Sequence, residues 1–290
     1  MIRFGWALLL LAPATGAAQA APGAPLEARR TGVFAERGLD ESSGLAASRA
    51  HRGVLWTVED SGNEAEIHAI DTAGAVLGTW RVKGARNRDW EAVSVGPCGD
   101  RTCVYIADTG DNAERRDSVM LYRVVEPARL VGGELEVDGA LALEYPGGAR
   151  DVESLAALPD GGQLLVSKGR KGPVEAFRVP ASAWRARAAV AEPLGAIELP
   201  DAGLAGLVTD AALHPDGHTL VVRTYASLHF FRIGERGAPA PVPGVPPCGI
   251  LGLELQGEGV TWLDEGTLAL SGEAAYGMPG TVSVVRCPWR

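Results

Sequence analysis

Five openings of one kind recur along the 290-residue chain: SGLAAS at Ser43, EAVSV at Glu91, ESLAAL at Glu153, DAALHP at Asp210 and EGVTWL at Glu258. They are separated by 48, 62, 57 and 48 residues. Each opening puts an acidic or hydroxyl residue ahead of a short apolar strand. A turn and a second strand rich in Leu and Val follow: VLWTVEDSG, CVYIADTGD, QLLVSKGRK, TLVVRTYAS and TLALSGEAA. Third strands read EIHAID, VMLYRVVEP, VEAFRVP, LHFFRI and TVSVVR, and fourth strands are expected at VLGTWRV, LALEY, GAIEL and GILGLEL. A repeat of roughly fifty residues carrying four strands is the period of a β-propeller blade. A sandwich or solenoid could hold as many strands, but neither requires a repeated acidic opening.

The fold class read from this grammar is all-β, a single propeller of five blades. Six is the alternative, because the two longer units have room for another. The fifth unit has only three strands, and RTGVFAE at 30–36 is expected to supply its outer strand and close the ring. Helical periodicity is scarce, and residues 181–192 are the one candidate helix.

The first twenty residues hold one positive charge (Arg3), an apolar run and an A-x-A site at Ala18–Ala20, the pattern of a cleaved export signal. The apolar run is too short to span a bilayer. The expected organisation is a signal peptide at 1–20, a flexible leader at 21–30 and the propeller at 31–290. Four cysteines in an exported chain predict two disulfides, Cys98–Cys103 across a tight turn and Cys248–Cys287 tying the last strand to an earlier loop. The expected location is secreted or periplasmic.

Net charge is −9, and removal of Arg3 with the signal makes it −10. No basic stripe suited to nucleic acid is visible. There is no G-x-S-x-G elbow, phosphate loop or dinucleotide fingerprint. His214 and His218 are four apart, but HPDGH reads as a turn, so a zinc pair is not expected.

Blade strands run up and down, so the start of strand one and the end of strand two share one face of the disc. That brings Ser43, Glu91, Glu153, Asp210 and Glu258 toward Glu59, Asp60, Asp108, Asp111, Lys168, Arg223 and Glu273. Carboxylates around a narrow opening repel unless a cation or basic partners sit among them. The expected metal ligands are Glu91, Asp108, Asp111, Glu153, Asp210, Glu258 and Glu273, with Ca²⁺ before Mg²⁺ because the donors are hard oxygens. The stretch DTGDN is not an EF-hand loop, and it also reads as a plain turn in which Asp and Asn bond their own backbone. Asp60, Lys168, Arg223 and Tyr225 are the expected ligand-binding residues; Lys168 and Arg223 equally suit ion pairs with Glu153 and Asp210. Trp262 could join Tyr225 in an apolar wall. The loop carrying Lys83, Arg86, Arg88 and Asp89 is read as solvated or as framing the mouth, and Glu114–Asp117 as a solvated loop.

The phrases DWEAVSV, YIADTGDN…YRVVEP, DVESLAALPDGGQLLVSK, VTDAALHPDGHTLVVRTY and GEGVTWLDEGTLALSGE resemble bacterial secreted propellers grouped with the phytase-like (esterase-like) propellers. The likeness covers most of residues 40–275. It implies an exported propeller with Ca²⁺ at the channel mouth. True propeller phytases have six blades and a multi-calcium phosphate site, from which the five-unit count and the Lys168–Arg223 pair depart.

The first functional reading is therefore a monomeric exported propeller that binds a small ligand or an exported protein partner at an acidic, Ca²⁺-occupied mouth. The alternative is a metal-dependent hydrolase of phosphate or carboxylic esters. In that reading Glu91 or Asp108 holds the metal, and Lys168 and Arg223 steady the anionic transition state.

Overall fold

Short Val-, Leu- and Ile-rich runs alternate with Gly, Asp and Asn turns, which favours antiparallel hairpins over helices. In a computed structural model these runs form five sheets; residues 26–34, 39–234 and 236–289 are described. The expected signal peptide, the first half of the leader and the end of RTGVFAE lie outside the described residues.

Strand β1 (Glu27–Val33) precedes blade one, which is β2 (Ser42–Ala47), β3 (Val54–Glu59), β4 (Glu66–Asp71) and β5 (Val76–Lys83). Blade two is β6 (Trp90–Cys98), β7 (Arg101–Asp108), β8 (Val119–Val125) and, after the intervening β9 (Gly133–Glu136), β10 (Gly139–Glu144). Blade three is β11 (Val152–Ala157), β12 (Gln163–Ser167), β13 (Glu175–Val179) and, after β14 (Ala188–Val190), β15 (Glu192–Ala196). Blade four is β16 (Val208–Leu213), β17 (Thr219–Thr224), β18 (Ser227–Ile233) and β19 (Pro239–Pro241), with β20 (Cys248–Gly249) pairing the start of β18. Blade five is β21 (Gly257–Trp262), β22 (Leu268–Gly272) and β23 (Thr281–Arg286), and β1 pairs antiparallel with β23 as its outer strand. The expected closure by an N-terminal strand is present, beginning a few residues earlier than RTGVFAE.

The two long units hold no sixth blade. Their extra residues form β9 and β14, which run parallel along β5 and β10, the outer edges of the preceding blades. Edge strands leave backbone donors and acceptors unpaired, and borrowing a strand from the next unit satisfies them.

The expected helix at 181–192 shrinks to α1 (Ala183–Ala186). The chain turns left-handed at Arg187, and residues 188–190 join the sheet of blade two. Pairing with β10 outweighs the helix propensity of an Ala-rich stretch. GILGLEL likewise contributes no full outer strand: blade four is closed by Pro239–Pro241, and only Cys248–Gly249 pairs nearby.

Five apolar clusters fill the five joints between neighbouring blades. Strand β7 shows how. Tyr105 and Ala107 enter the core shared with blade three, while Val104 and Ile106 enter the core shared with blade one. A strand buried on both faces has no polar side, so it reads as a continuous apolar run rather than an alternating one. Both disulfides form as expected, Cys98–Cys103 across the β6–β7 hairpin and Cys248–Cys287 between β20 and the end of blade five.

Candidate functional site: the acidic mouth

At one end of the channel, each inner strand begins opposite the end of its blade's second strand. The partners are Ser42 and Glu59, Trp90 and Asp108, Val152 and Ser167, Val208 and Thr224, and Gly257 and Gly272. In all five blades the register breaks at this end. Gly44, Glu91, Glu153, Thr209 and the pair Glu258–Gly259 are left unpaired. A bulge of this kind re-aims a side chain that would otherwise join the ladder. Gly44 takes φ +73° there, and a Cβ would lie 2.8 Å from Ala92 Cα of the next blade.

The residue just past each second strand forms an upper ring of Asp60, Thr109, Lys168, Tyr225 and Glu273. Glu91, Glu153 and Glu258 lie below it, all buried. Ser43 Oγ lies 3.2 Å from Glu91 Oε2, Lys168 Nζ donates to Glu153 Oε1 at 2.7 Å, and Tyr225 Oη donates to Glu258 Oε1 at 3.3 Å. Gln256 Nε2 donates to Glu273.

Burial raises Glu91, Glu153, Glu258 and Glu273. Glu91 is pushed well above the ordinary range, first by desolvation and then by Glu153 and Asp60. Glu153 rises to about 8 by burial, with Lys168 opposing. Glu273 rises to about 9 by burial and the charges of Glu258 and Asp60. Burial also raises Glu258. The Lys168 ammonium is held protonated, its burial outweighed by Glu153 and Glu91.

One group of three is tighter than the rest. Asp60, Asp89 and Glu91 each place a carboxylate oxygen within 4.8 Å of the others. Asp89 is raised to about 6, by burial first and then by Asp60. Asn87 sets this geometry: its Nδ2 donates to the carbonyls of Glu59 and Asp60 at 2.9 Å each, and its Oδ1 accepts from Trp90 N. Trp90 Nε1 closes the loop onto Arg86 O at 2.9 Å. On the far side, a Cβ on Gly110 would sit 2.6 Å from Asp89 Oδ2 and overlap Glu91 Oε1, so any larger residue would push these two carboxylates out of place. The loop from 84 to 89 therefore frames the mouth. Asp89 was legible only as a loop charge, and the Asn before it was the available signal.

Other expected site residues are engaged elsewhere. Asp108 is buried against Arg116 at 2.9 Å, and Arg116 also donates to Gly110 O. Arg116 is thus a buried partner rather than part of a solvated loop. Asp111 Oδ2 accepts the N–H groups of Arg115 and Arg116, so it caps its own turn. Asp210 sits one residue past the bulge and is fully buried. Its oxygens accept from Val260 N at 2.8 Å, Ala211 N at 2.8 Å and Leu45 N at 3.2 Å, tying blades four, five and one together. Arg223 donates to Gly259 O and Ser271 O and pairs with Glu254 rather than with Asp210. Trp262 lies at the opposite end of β21, stacked among His214, Phe230 and Trp289.

These features define a five-bladed β-propeller whose channel opens on one side through a ring of buried carboxylates. Its fold is similar to that of the PQQ-bound aldose sugar dehydrogenase of Streptomyces coelicolor, with a TM-score of 0.52, 14% identity, and coverage of 92% of this chain and 99% of that one. A putative oxidoreductase (glucose dehydrogenase) of Thermus thermophilus aligns with a TM-score of 0.47 and 16% identity over 90% of this chain and 100% of that one. At such identities the likeness concerns the fold alone. No protein-family model matches the chain. No curated protein matches it in sequence. The propeller expectation stands on the five sheets and on this likeness, while the phytase-like kinship gains no support from the Streptomyces structure.

Proposed function

We propose that the protein binds a divalent cation, Ca²⁺ ahead of Mg²⁺, between Asp60, Asp89 and Glu91, and that the cation presents a small neutral ligand at the mouth. The observation that carries this reading is the convergence of three carboxylate oxygens within 4.8 Å, from β6 and two loops. Burial first, and then the neighbouring carboxylates, raise the proton affinity of Asp89 and Glu91. Ca²⁺ takes roughly six to eight oxygen ligands, so three carboxylates leave positions for hydroxyl or carbonyl oxygens of a ligand. Glu273, which keeps its proton to about pH 9, offers a hydroxyl donor to a neutral ligand.

The PQQ of the Streptomyces enzyme is not carried over to this mouth, because Lys168, the ammonium of the upper ring, is already paired with Glu153. Ester hydrolysis is not carried forward, since Arg223 is consumed by Glu254 and two carbonyls. Export of the protein is supported by the pairing of all four cysteines. Among the described residues no helix is long and apolar enough to cross a membrane.

Calorimetric titration of Ca²⁺ into chelator-stripped protein tests the site. Binding that drops at least about tenfold in Asp89→Asn and Glu91→Gln, but not in Asp111→Asn, is expected. Absence of binding heat together with an unchanged melting temperature would refute it.

A further inference from the structure

The channel has a second, chemically opposite end. There the inner strands finish around a cavity of about 440 Å³, with one wall from each blade: Leu45, Val93, Leu155, Ala211 and Thr261. Small-molecule pockets typically span roughly 300–1,000 Å³. Asp210, with Leu45 N and Val260 N on the same oxygen, ties the inner strands together next to Ala211, which lines this cavity.

Ser48 Oγ is spent on Glu126 Oε1 at 2.6 Å, but two other hydroxyls in the lining can donate. Ser94 Oγ accepts from Ala157 N at 2.9 Å and Thr261 Oγ1 accepts from Ala47 N at 3.0 Å, so each hydroxyl keeps its own proton to donate. Arg49 stands at the rim. Its backbone N–H is bonded to Glu126 Oε1, while its guanidinium has no hydrogen bond or ion pair among the described residues. No Asp or Glu lines the cavity. His214, which does line it, is satisfied: Nδ1 accepts from Asp216 N and Nε2 faces Glu265 O.

We infer that this cavity is a second ligand site, independent of the cation at the acidic mouth, for a small carboxylate with an apolar body. The apolar part is buried among the five strand ends, and the carboxylate faces Arg49 and the donating hydroxyls. Apolar side chains in the lining, two hydroxyl donors and a guanidinium, with no Asp or Glu among the lining residues, match the anionic head and apolar tail of such a molecule.

Octanoate, octanol and octylamine test the assignment by calorimetry and by quenching of Trp262, which borders the cavity. Octanoate is expected to bind about tenfold more tightly than octanol, with octylamine weakest. Arg49→Gln, a change at an exposed side chain, should erase the preference for octanoate over octanol while leaving octanol binding unchanged. Asp89→Asn should leave octanoate binding intact, separating this site from the cation site. The assignment is overturned if octanoate does not bind, if octylamine matches it, or if Arg49→Gln binds it as tightly as the native protein.

Discussion

Lys168 Nζ and Glu153 Oε1 lie 2.7 Å apart, both side chains buried, at the two mouth positions of blade three. They are the only opposite charges so matched between the inner-strand bulges and the upper ring, whose other titratable members are Asp60, Tyr225 and Glu273 among the described residues. Removing the ammonium leaves a buried carboxyl beside Glu91 and Glu258. Lys168→Met is expected to lower stability in urea denaturation, most strongly above about pH 8 where Glu153 carries its charge, and Lys168→Met with Glu153→Gln markedly less. Equal losses in the single and double variants would show that the pair is not what matters.

The raised carboxyls set a pH signature for the cation-free protein. The folded state holds protons on Asp89, Glu153 and Glu273 that the unfolded chain releases near the ordinary carboxylate range. Their contribution to stability is complete below about pH 4 and is lost as pH rises through about 6, 8 and 9 in turn. Asp216, held at about 2 although burial opposes it, acts in the other direction and matters only in strong acid. The melting temperature should fall from about pH 5 to about pH 9, and saturating Ca²⁺ should flatten that fall. A flat profile without Ca²⁺ would contradict the burial of these groups.

Gly110→Ala tests the cradle without touching a carboxylate. The added methyl would stand against Asp89 Oδ2 and Glu91 Oε1. Ca²⁺ affinity should drop at least about tenfold, as for loss of a ligand, while the melting temperature of the cation-free protein changes little. Unaltered affinity would place the cation elsewhere.

Asp210 separates a structural carboxylate from a ligating one. Asp210→Ala would orphan the N–H groups of Leu45, Ala211 and Val260, each costing about 1–3 kcal/mol, and is expected to unfold readily. Asp210→Asn keeps one acceptor oxygen and should fold with reduced stability and unchanged Ca²⁺ affinity. Weakened Ca²⁺ binding in folded Asp210→Asn would return it to the metal site.

The Cys248–Cys287 bridge closes a separation of 39 residues, and on the chain-entropy model its removal costs about 4 kcal/mol. Loss of Cys98–Cys103, separated by five residues, should cost only about 2 kcal/mol by chemical denaturation. The reverse order would mean that native-state contacts outweigh loop entropy.

Blade count, the first three strands of each blade, ring closure near the N-terminus and both disulfides were legible in the sequence, because strand length, turn residues and repeat spacing are local properties. So was the convergence of Glu91, Glu153 and Glu258, which follows from the repeat alone. Local pattern does not reveal where a ladder skips a residue, and in blade four that skip falls on Thr209 and leaves Asp210 to bond three strands. Nor does it show that Asn87 carries Asp89 to Asp60, that Arg116 balances Asp108, or that Arg223 turns to Glu254. Those pairings join loops and blades far apart in the chain. They exist only once the ring has closed and burial forces each charged group to take whichever partner lies within reach.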